Sequence, residues 1–387
     1  MTDPASAAEG GGDRSDDRDE RLTIDIVSDE RMAASVAAAI ARRMPEHGYS
    51  ADGAPCVLET TALGTEYRPS AVGDPPVEQL VTAARLPESS DLALYLVEMP
   101  RIDGRRMVLA ETDSTRTAVI YLPAMGTVGV RRRTVAVVVD IIDRLLGVRL
   151  DPRTRAERRW AGSRRTPGVW RERERSLGEG RNHQLRAAGP GSRVRLIGGM
   201  VRANRPWRLV PTLSGALAAA IATAAFGVFY SSIWEMAVAM SNLRLLWIAA
   251  TAVAAMSAWL IIPNRLWETR GFRAQPGDRA VYNAATLGTI GTGVLGMYML
   301  LFLAVLAAAF VVIPTGFLAE QVGADAGVAA YLKLGWLAAS LGTFAGAVGS
   351  GVADREEIMH ATYGYREVQR RRARERAEER RRGTDAG

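Results

Sequence analysis

The residues that could do chemistry in this chain are few, and their scarcity is informative. Of its 49 basic residues only Lys333 is a lysine; the rest are arginine. A phosphate-binding P-loop needs a lysine after a Gly-rich turn, and Schiff-base or general-base chemistry needs an amine in a pocket. Lys333 stands at the edge of an apolar run and offers neither. Cys56 is the sole cysteine, which excludes an intramolecular disulfide and a cysteine-rich zinc or iron–sulfur site. His47, His183 and His360 lie in three distant regions, so no Cys–His or metal-ligand spacing arises, and Cys56 reads as a small core residue. The expectation is a chain without catalytic, cofactor-binding or metal residues, leaning away from an enzyme.

What remains is binding by residues at strand ends, and that depends on the elements that carry them. The stretch 22–149 alternates strand-like and helix-like patterns in the order β-α-β-α-β-β-β-α, an α/β domain. Leu22–Val27 alternates with period two; a helix over 30–44 follows and ends at Pro45 and Gly48. Strands are expected over 57–62, 91–97, 107–110 and 117–122, with helices over 75–85 and 127–146. In an open α/β sheet, ligands bind beyond the carboxyl ends of the strands. That rule nominates Ser28 and Asp29, Thr60 and Thr61, Glu98 and Arg101, and Pro123 and Gly126. Each also reads as an ordinary cap or turn residue, and no Gly-rich phosphate loop follows the first strand.

The flanks differ. Residues 1–21 carry seven acidic residues against three arginines and no apolar cluster, so they read as a disordered tail rather than a signal peptide. Residues 150–208 hold sixteen arginines against four glutamates, as an Arg-rich linker and juxtamembrane segment would. Anionic lipid attracts such a belt by about 1 kcal/mol per basic residue; Arg202, Arg205, Trp207 and Arg208 are the expected headgroup contacts. Stacking aromatics are not interleaved with these arginines, so nucleic acid is not expected as a partner.

Over 209–353 the charge nearly vanishes. Four apolar runs, 209–234, 245–264, 284–313 within the longer run 280–319, and 334–353, are each long enough to cross a bilayer. The expected architecture is therefore an α/β cytoplasmic domain followed by an all-α four-helix transmembrane bundle. Trp207, Trp234, Trp247 and Trp267 flank the first two runs, as interfacial tryptophans do. Arg265, Arg270, Arg273 and Arg279 crowd one loop, whereas the opposite loops hold only Arg244 and Lys333 at their edges. Both termini are then expected inside a bacterial inner membrane. No Asp, Glu, Lys, Arg or His lies within a run, which weighs against an ion-coupled transporter. Ala284, Gly288, Thr292 and Gly296, and Ala338, Gly342, Gly346 and Ser350, step by four, so helix backbones can approach closely, within the bundle or in a homo-oligomer. Residues 354–387, with ten arginines and eight acidic residues, read as a charged helix and tail.

Three stretches carry a resemblance: Glu98–Arg106, Tyr121–Gly126 and Met200–Arg208 look like those of an actinobacterial family of uncharacterised integral membrane proteins, over roughly 22–353. It implies the membrane architecture and transfers no catalytic residue. Some members are named 5,10-methylene-tetrahydrofolate dehydrogenase, a chemistry that uses a Tyr-x-x-x-Lys pattern and a Pro-Gly-Gly-Val-Gly-Pro-like loop. This chain has Tyr331-Leu-Lys333 and no such loop. The expected function is a non-enzymatic sensing, scaffold or interaction protein with lipid, and a protein partner or second copy, as partners. A small transporter or channel component, or a nicotinamide-dependent folate dehydrogenase, are the alternatives.

Overall fold

The computed structural model describes residues 20–28, 32–64, 90–103, 106–112, 116–153, 170–177, 180–187, 191–264, 266–268, 276–323 and 327–349. Nearly all of the expected acidic tail, the helix over 75–85 and the charged segment 354–387 lie outside them.

The N-terminal half is a mixed sheet. Its strands are β1 (Glu20–Ser28), β2 (His47–Tyr49), β3 (Pro55–Gly64), β4 (Leu92–Val97), β5 (Ile102–Asp103), β6 (Arg106–Thr112), β7 (Thr117–Tyr121), β8 (Arg149–Leu150), β9 (Trp170–Leu177) and β10 (Gly180–Ala187). They run in the order β8-β2-β3-β1-β4-β7-β6-β10-β9, with β5 pairing to β6. β3, β1, β4 and β7 are parallel neighbours, and the others join antiparallel. Helices α1 (Met32–Ala41) and α2 (Val130–Leu145) follow β1 and β7. Every residue of β4 is buried, as expected for a strand covered on both faces. Ile24, Ile26, Leu92, Leu94, Leu96 and Ile120 are essentially solvent-free and form the heart of this core.

The expected linker over 150–208 is partly structure. β9 and β10 form a hairpin whose second strand pairs with β6, so 170–187 extends the sheet. Edge strands are held by main-chain hydrogen bonds, and a charged edge is a common device against aggregation. The sequence of β9, Trp170-Arg-Glu-Arg-Glu-Arg-Ser-Leu177, accordingly gives no apolar periodicity to read.

A helical C-terminal region follows: α3 (Ser192–Asn204), α4 (Leu209–Thr212), α5 (Ser214–Phe229), α6 (Ser231–Ala239), α7 (Asn242–Ile261), α8 (Pro276–Val312), α9 (Thr315–Val322) and α10 (Val328–Gly349). Three helices are long and apolar enough to cross a membrane: α7, α8 over 279–312 and α10 over 328–348. The expected first span, 209–234, is instead broken twice. Leu213 interrupts it after Pro211, which has no N–H to bond back to Trp207. Tyr230 is extended and separates α5 from α6, and across this break the Trp234 indole N–H donates to the Gly227 carbonyl at 3.0 Å. The 16-residue α5 covers only about 24 Å. Taken as one unit, 192–212 and 214–229 bend by 58°.

Small residues set the helix contacts. A Cβ on Gly342 would lie 2.5 Å from the Ala220 carbonyl oxygen, and one on Gly346 2.8 Å from that of Ala216, so α10 packs on α5 almost backbone to backbone. A Cβ on Gly288 would meet Val201 of α3 at 2.8 Å, whereas Gly296 has room, with Val210 at 4.0 Å. Ala338, Gly342 and Gly346 of the fourth run thus pack within this chain, as does Gly288 of the third, whereas Thr292 and Gly296 are exposed. Lys333 turns its ammonium to the carbonyls of Val238 (3.0 Å) and Met240 (2.9 Å), satisfying the end of α6. The lone lysine is thus a helix cap. Large exposed apolar residues, such as Phe226, Trp247, Leu303 and Phe310, crowd the helical region, while β1 to β8 and α1 show only Tyr49 among the described residues.

Candidate functional site

The order of the four parallel strands reverses between β1 and β4, and such a point opens a crevice at the carboxyl ends. Ser28 ends β1 there, buried beside Leu96. Asp29 lies outside the described residues. Glu98 follows β4, and its Oε1 accepts from the Ala33 N–H at 2.9 Å, so the carboxylate satisfies the first turn of α1. After β7 the chain makes a 3-10 turn, Leu122–Met125, and Gly126 leaves it at φ 85°. Thr60 is not at this edge. β3 continues to Gly64, so Thr60 sits mid-strand opposite Ile24 and its hydroxyl meets the Met44 sulfur at 3.0 Å. The sequence expectation ended that strand two residues early.

Arg101 belongs to a neighbouring buried network. Its Nε lies 3.3 Å from Glu111 Oε1. Glu111 also accepts from the Tyr121 hydroxyl (2.9 Å) and the Gln184 amide (2.8 Å), and Gln184 Oε1 accepts from Arg186 Nη2 at 2.8 Å. Through these donors the buried Glu111 carboxylate ties β6, β7 and β10 together.

The residues that transform the edge into a site come from α3. Gly199 lies so close to the Pro123 carbonyl that no side chain would fit, which presses α3 across the end of β7. Arg195, Gly199 and Arg202 are spaced four and three apart, on one face of the helix. Arg195 runs over Gly126: a Cβ there would lie 2.6 Å from Arg195 Cγ and 3.0 Å from Arg133 Nη1. Arg133, in the first turn of α2, also donates to the Met125 carbonyl. Burial, and then the like charge of Arg133, hold the Arg195 guanidinium below its ordinary value. Burial lowers Arg202 as well, opposed by the attraction of Glu98. Arg202, expected at lipid headgroups, is thus turned to the α/β domain. Arg205, Trp207 and Arg208 sit at the junction between α3 and α4, with Trp207 and Arg208 exposed. Arg205 takes a left-handed conformation (φ 54°) immediately before Pro206, where the ordinary helical region is disfavoured.

α3 also binds the helical region. The Asn204 amide donates to Thr289 Oγ1 at 3.0 Å, and Val281 and Ala285 of α8 join the core of the α/β domain. The surplus length of α8 over a single span is used here. Sequence reasoning nominated Glu98 and Gly126 but missed Arg133, Arg195 and Gly199; the four-then-three spacing on α3 was the available signal. A cavity of about 1260 Å³ opens between α7, α8 and α10, lined by Val253, Ser257, Leu295, Tyr298, Phe302 and Trp336 among others. Its Ser257 hydroxyl is spent on the Val253 carbonyl (2.7 Å), so the walls are effectively apolar. No His/Cys/Asp/Glu group able to hold a metal occurs among the described residues. No family model, curated protein or solved structure matches this chain.

Proposed function

We propose that this is an inner-membrane protein whose cytoplasmic α/β domain senses a small ligand or partner at the carboxyl edge of its sheet and passes the bound state to the membrane helices through α3. The observation that carries this reading is the double contact of α3. One face presses on Pro123 through Gly199, and Asn204 bonds Thr289 of α8. A ligand that shifts the edge of β4 or β7 must work against α3, and α3 is packed on a membrane helix. The scarcity of catalytic constellations favours sensing over turnover, and membership of the actinobacterial membrane family is part of the same proposal.

In this reading α4 and α5 form the first of four spans, with both termini on the arginine-rich side. Support comes from the packing of Leu209, Ile261, Leu266 and Ile290 in one cluster, which puts the first span's start and the arginine-rich loop at one end. A reporter fused after Gly387 should read cytoplasmic and one inserted at Gly323 external; the reverse pattern refutes the orientation.

Coupling is tested without knowing the ligand. Gly199→Val forces α3 off Pro123. Hydrogen exchange of the full-length protein in nanodiscs should then rise in residues 122–126, in α3, and in α8 around Ala285 and Thr289. Faster exchange confined to the α/β domain would show that the two regions act separately.

A further inference from the structure

Among the described residues, four buried side-chain polar atoms lack a hydrogen-bond partner, and three of them belong to Arg195 (Nη1) and Arg202 (Nε and Nη2). The fourth is the Tyr95 hydroxyl. An unpaired buried donor costs about 1–3 kcal/mol, more when charged, so such atoms are rare and call for an explanation. Here they are not scattered. Both arginines come from one face of α3, two turns apart, on either side of the Gly199 contact with Pro123. At the first, Arg195 and Arg133 both come within 3.0 Å of one point above Gly126. Neither of these two makes an ion pair with a described carboxylate. At the second, Arg202 feels the attraction of the single charge of Glu98, whose Oε1 also accepts from the Ala33 N–H. Like charges held together without a counter-charge are costly in a partly desolvated crevice. The residue beneath them is a glycine with φ 85°, and its missing side chain is what lets the Arg195 stem lie there, with Cγ 2.6 Å from where a Cβ would stand.

We propose that this edge binds a phosphate-bearing anion, its phosphate on the guanidinium groups of Arg195 and Arg133 and its remaining polar groups reaching Arg202. Guanidinium groups match phosphate oxygens in a fork geometry, and a phosphate carries enough charge to offset two of them. The crevice lies where the carboxyl ends of β4 and β7 meet the helix that leads to the membrane, so the phosphate can belong to a soluble metabolite or to a lipid headgroup. The inference rests on the reading of this edge as the sensing site and names the chemistry it senses.

The test uses full-length protein in nanodiscs of phosphatidylcholine alone, with inorganic phosphate and pyrophosphate as soluble probes, and in nanodiscs containing phosphatidylglycerol. The thermal midpoint of unfolding should rise with the soluble probes if the source is a metabolite, or with phosphatidylglycerol if it is a headgroup. Arg195→Gln should weaken that response by about tenfold or more, equivalent to about 1.4 kcal/mol. Arg202→Gln should weaken pyrophosphate more than inorganic phosphate. Arg193→Gln, at an exposed position on the same helix, should change neither. Without anion, Arg195→Gln should be at least as stable as the parent, because it removes an unpaired charge; this separates loss of binding from loss of fold. No response to any of the three anions, or a response that Arg195→Gln retains in full, overturns the site. Binding that depends on Arg195 but leaves hydrogen exchange in α3 and α8 unchanged keeps the site and removes the coupling.

Discussion

The α/β domain and the helical region bury their interiors by opposite means. In the domain, volume is supplied by large side chains: Ile24, Ile26, Leu92, Leu94 and Leu96 interdigitate around β1 and β4. Where α5 meets α10, volume is removed. Ala216, Ala220 and Ala224 face Ala338, Gly342 and Gly346, and carbonyl oxygens stand where side chains would otherwise be. In water, burying large apolar groups drives folding. In lipid that force is absent between helices, and close contact of backbones takes its place. The contrast teaches that atoms cannot be taken away from one region or added to the other.

The largest expected effect tests the first half of that statement. Leu94→Ala leaves a cavity in a residue with no solvent exposure and should cost about 3 kcal/mol. Denaturant unfolding of full-length protein in detergent reads it; a cost below about 1 kcal/mol would mean the core collapses around the gap. Next comes addition of atoms in the helical region. Gly342→Val drives new carbons into the Ala220 carbonyl and should cost about 2 kcal/mol. Leu341→Ala, one position away and exposed, should cost far less, and equal costs would break the comparison.

A smaller effect concerns the way each region satisfies polar groups. Lys333→Met strips the Val238 and Met240 carbonyls of their partner and should lower stability by about 1 kcal/mol, read from the thermal midpoint in detergent. Smallest is Tyr95→Phe, which removes a buried hydroxyl that has no partner and should leave stability unchanged or raised by under about 1 kcal/mol. Burial pushes the Tyr95 hydroxyl from 10.0 up to about 12. Its folded value is the higher one, so its contribution is full below pH 10 and is lost as pH rises from about 10 to about 12. Tyr95→Phe should flatten that alkaline slope; an unchanged slope would show that another group sets it.

Much of this was legible in the sequence. Period-two alternation locates β1, a continuous apolar run locates β4, and start and stop residues locate α1 and α2, each to within a few residues, because these signals are local to each segment. The apolar runs locate α7, α8 and α10 for the same reason. Less legible were the breaks at Leu213 and Tyr230, since a charge-free run of 26 residues does not reveal where its helix is interrupted. The hairpin β9–β10 was read as linker, because its partner is the backbone of β6. Glu98 and Gly126 could be nominated from their place just after a strand. Arg195 and Arg202 could not, because their helix reads equally well as an interfacial helix or as one docked on a domain.

The sequence by itself determined where charge and apolar surface lie, and with them the α/β domain, the long apolar helices and the absence of any lysine-, cysteine- or histidine-rich chemistry. These properties follow from composition and local period, which each segment carries alone. Only the tertiary structure decided that Arg133, Arg195 and Gly126 meet, that Glu98 faces both α1 and Arg202, and that Lys333 caps α6. Those pairs are joined by side-chain reach across elements far apart in the chain, and the docking of α3 on Pro123 fixes the edge they share.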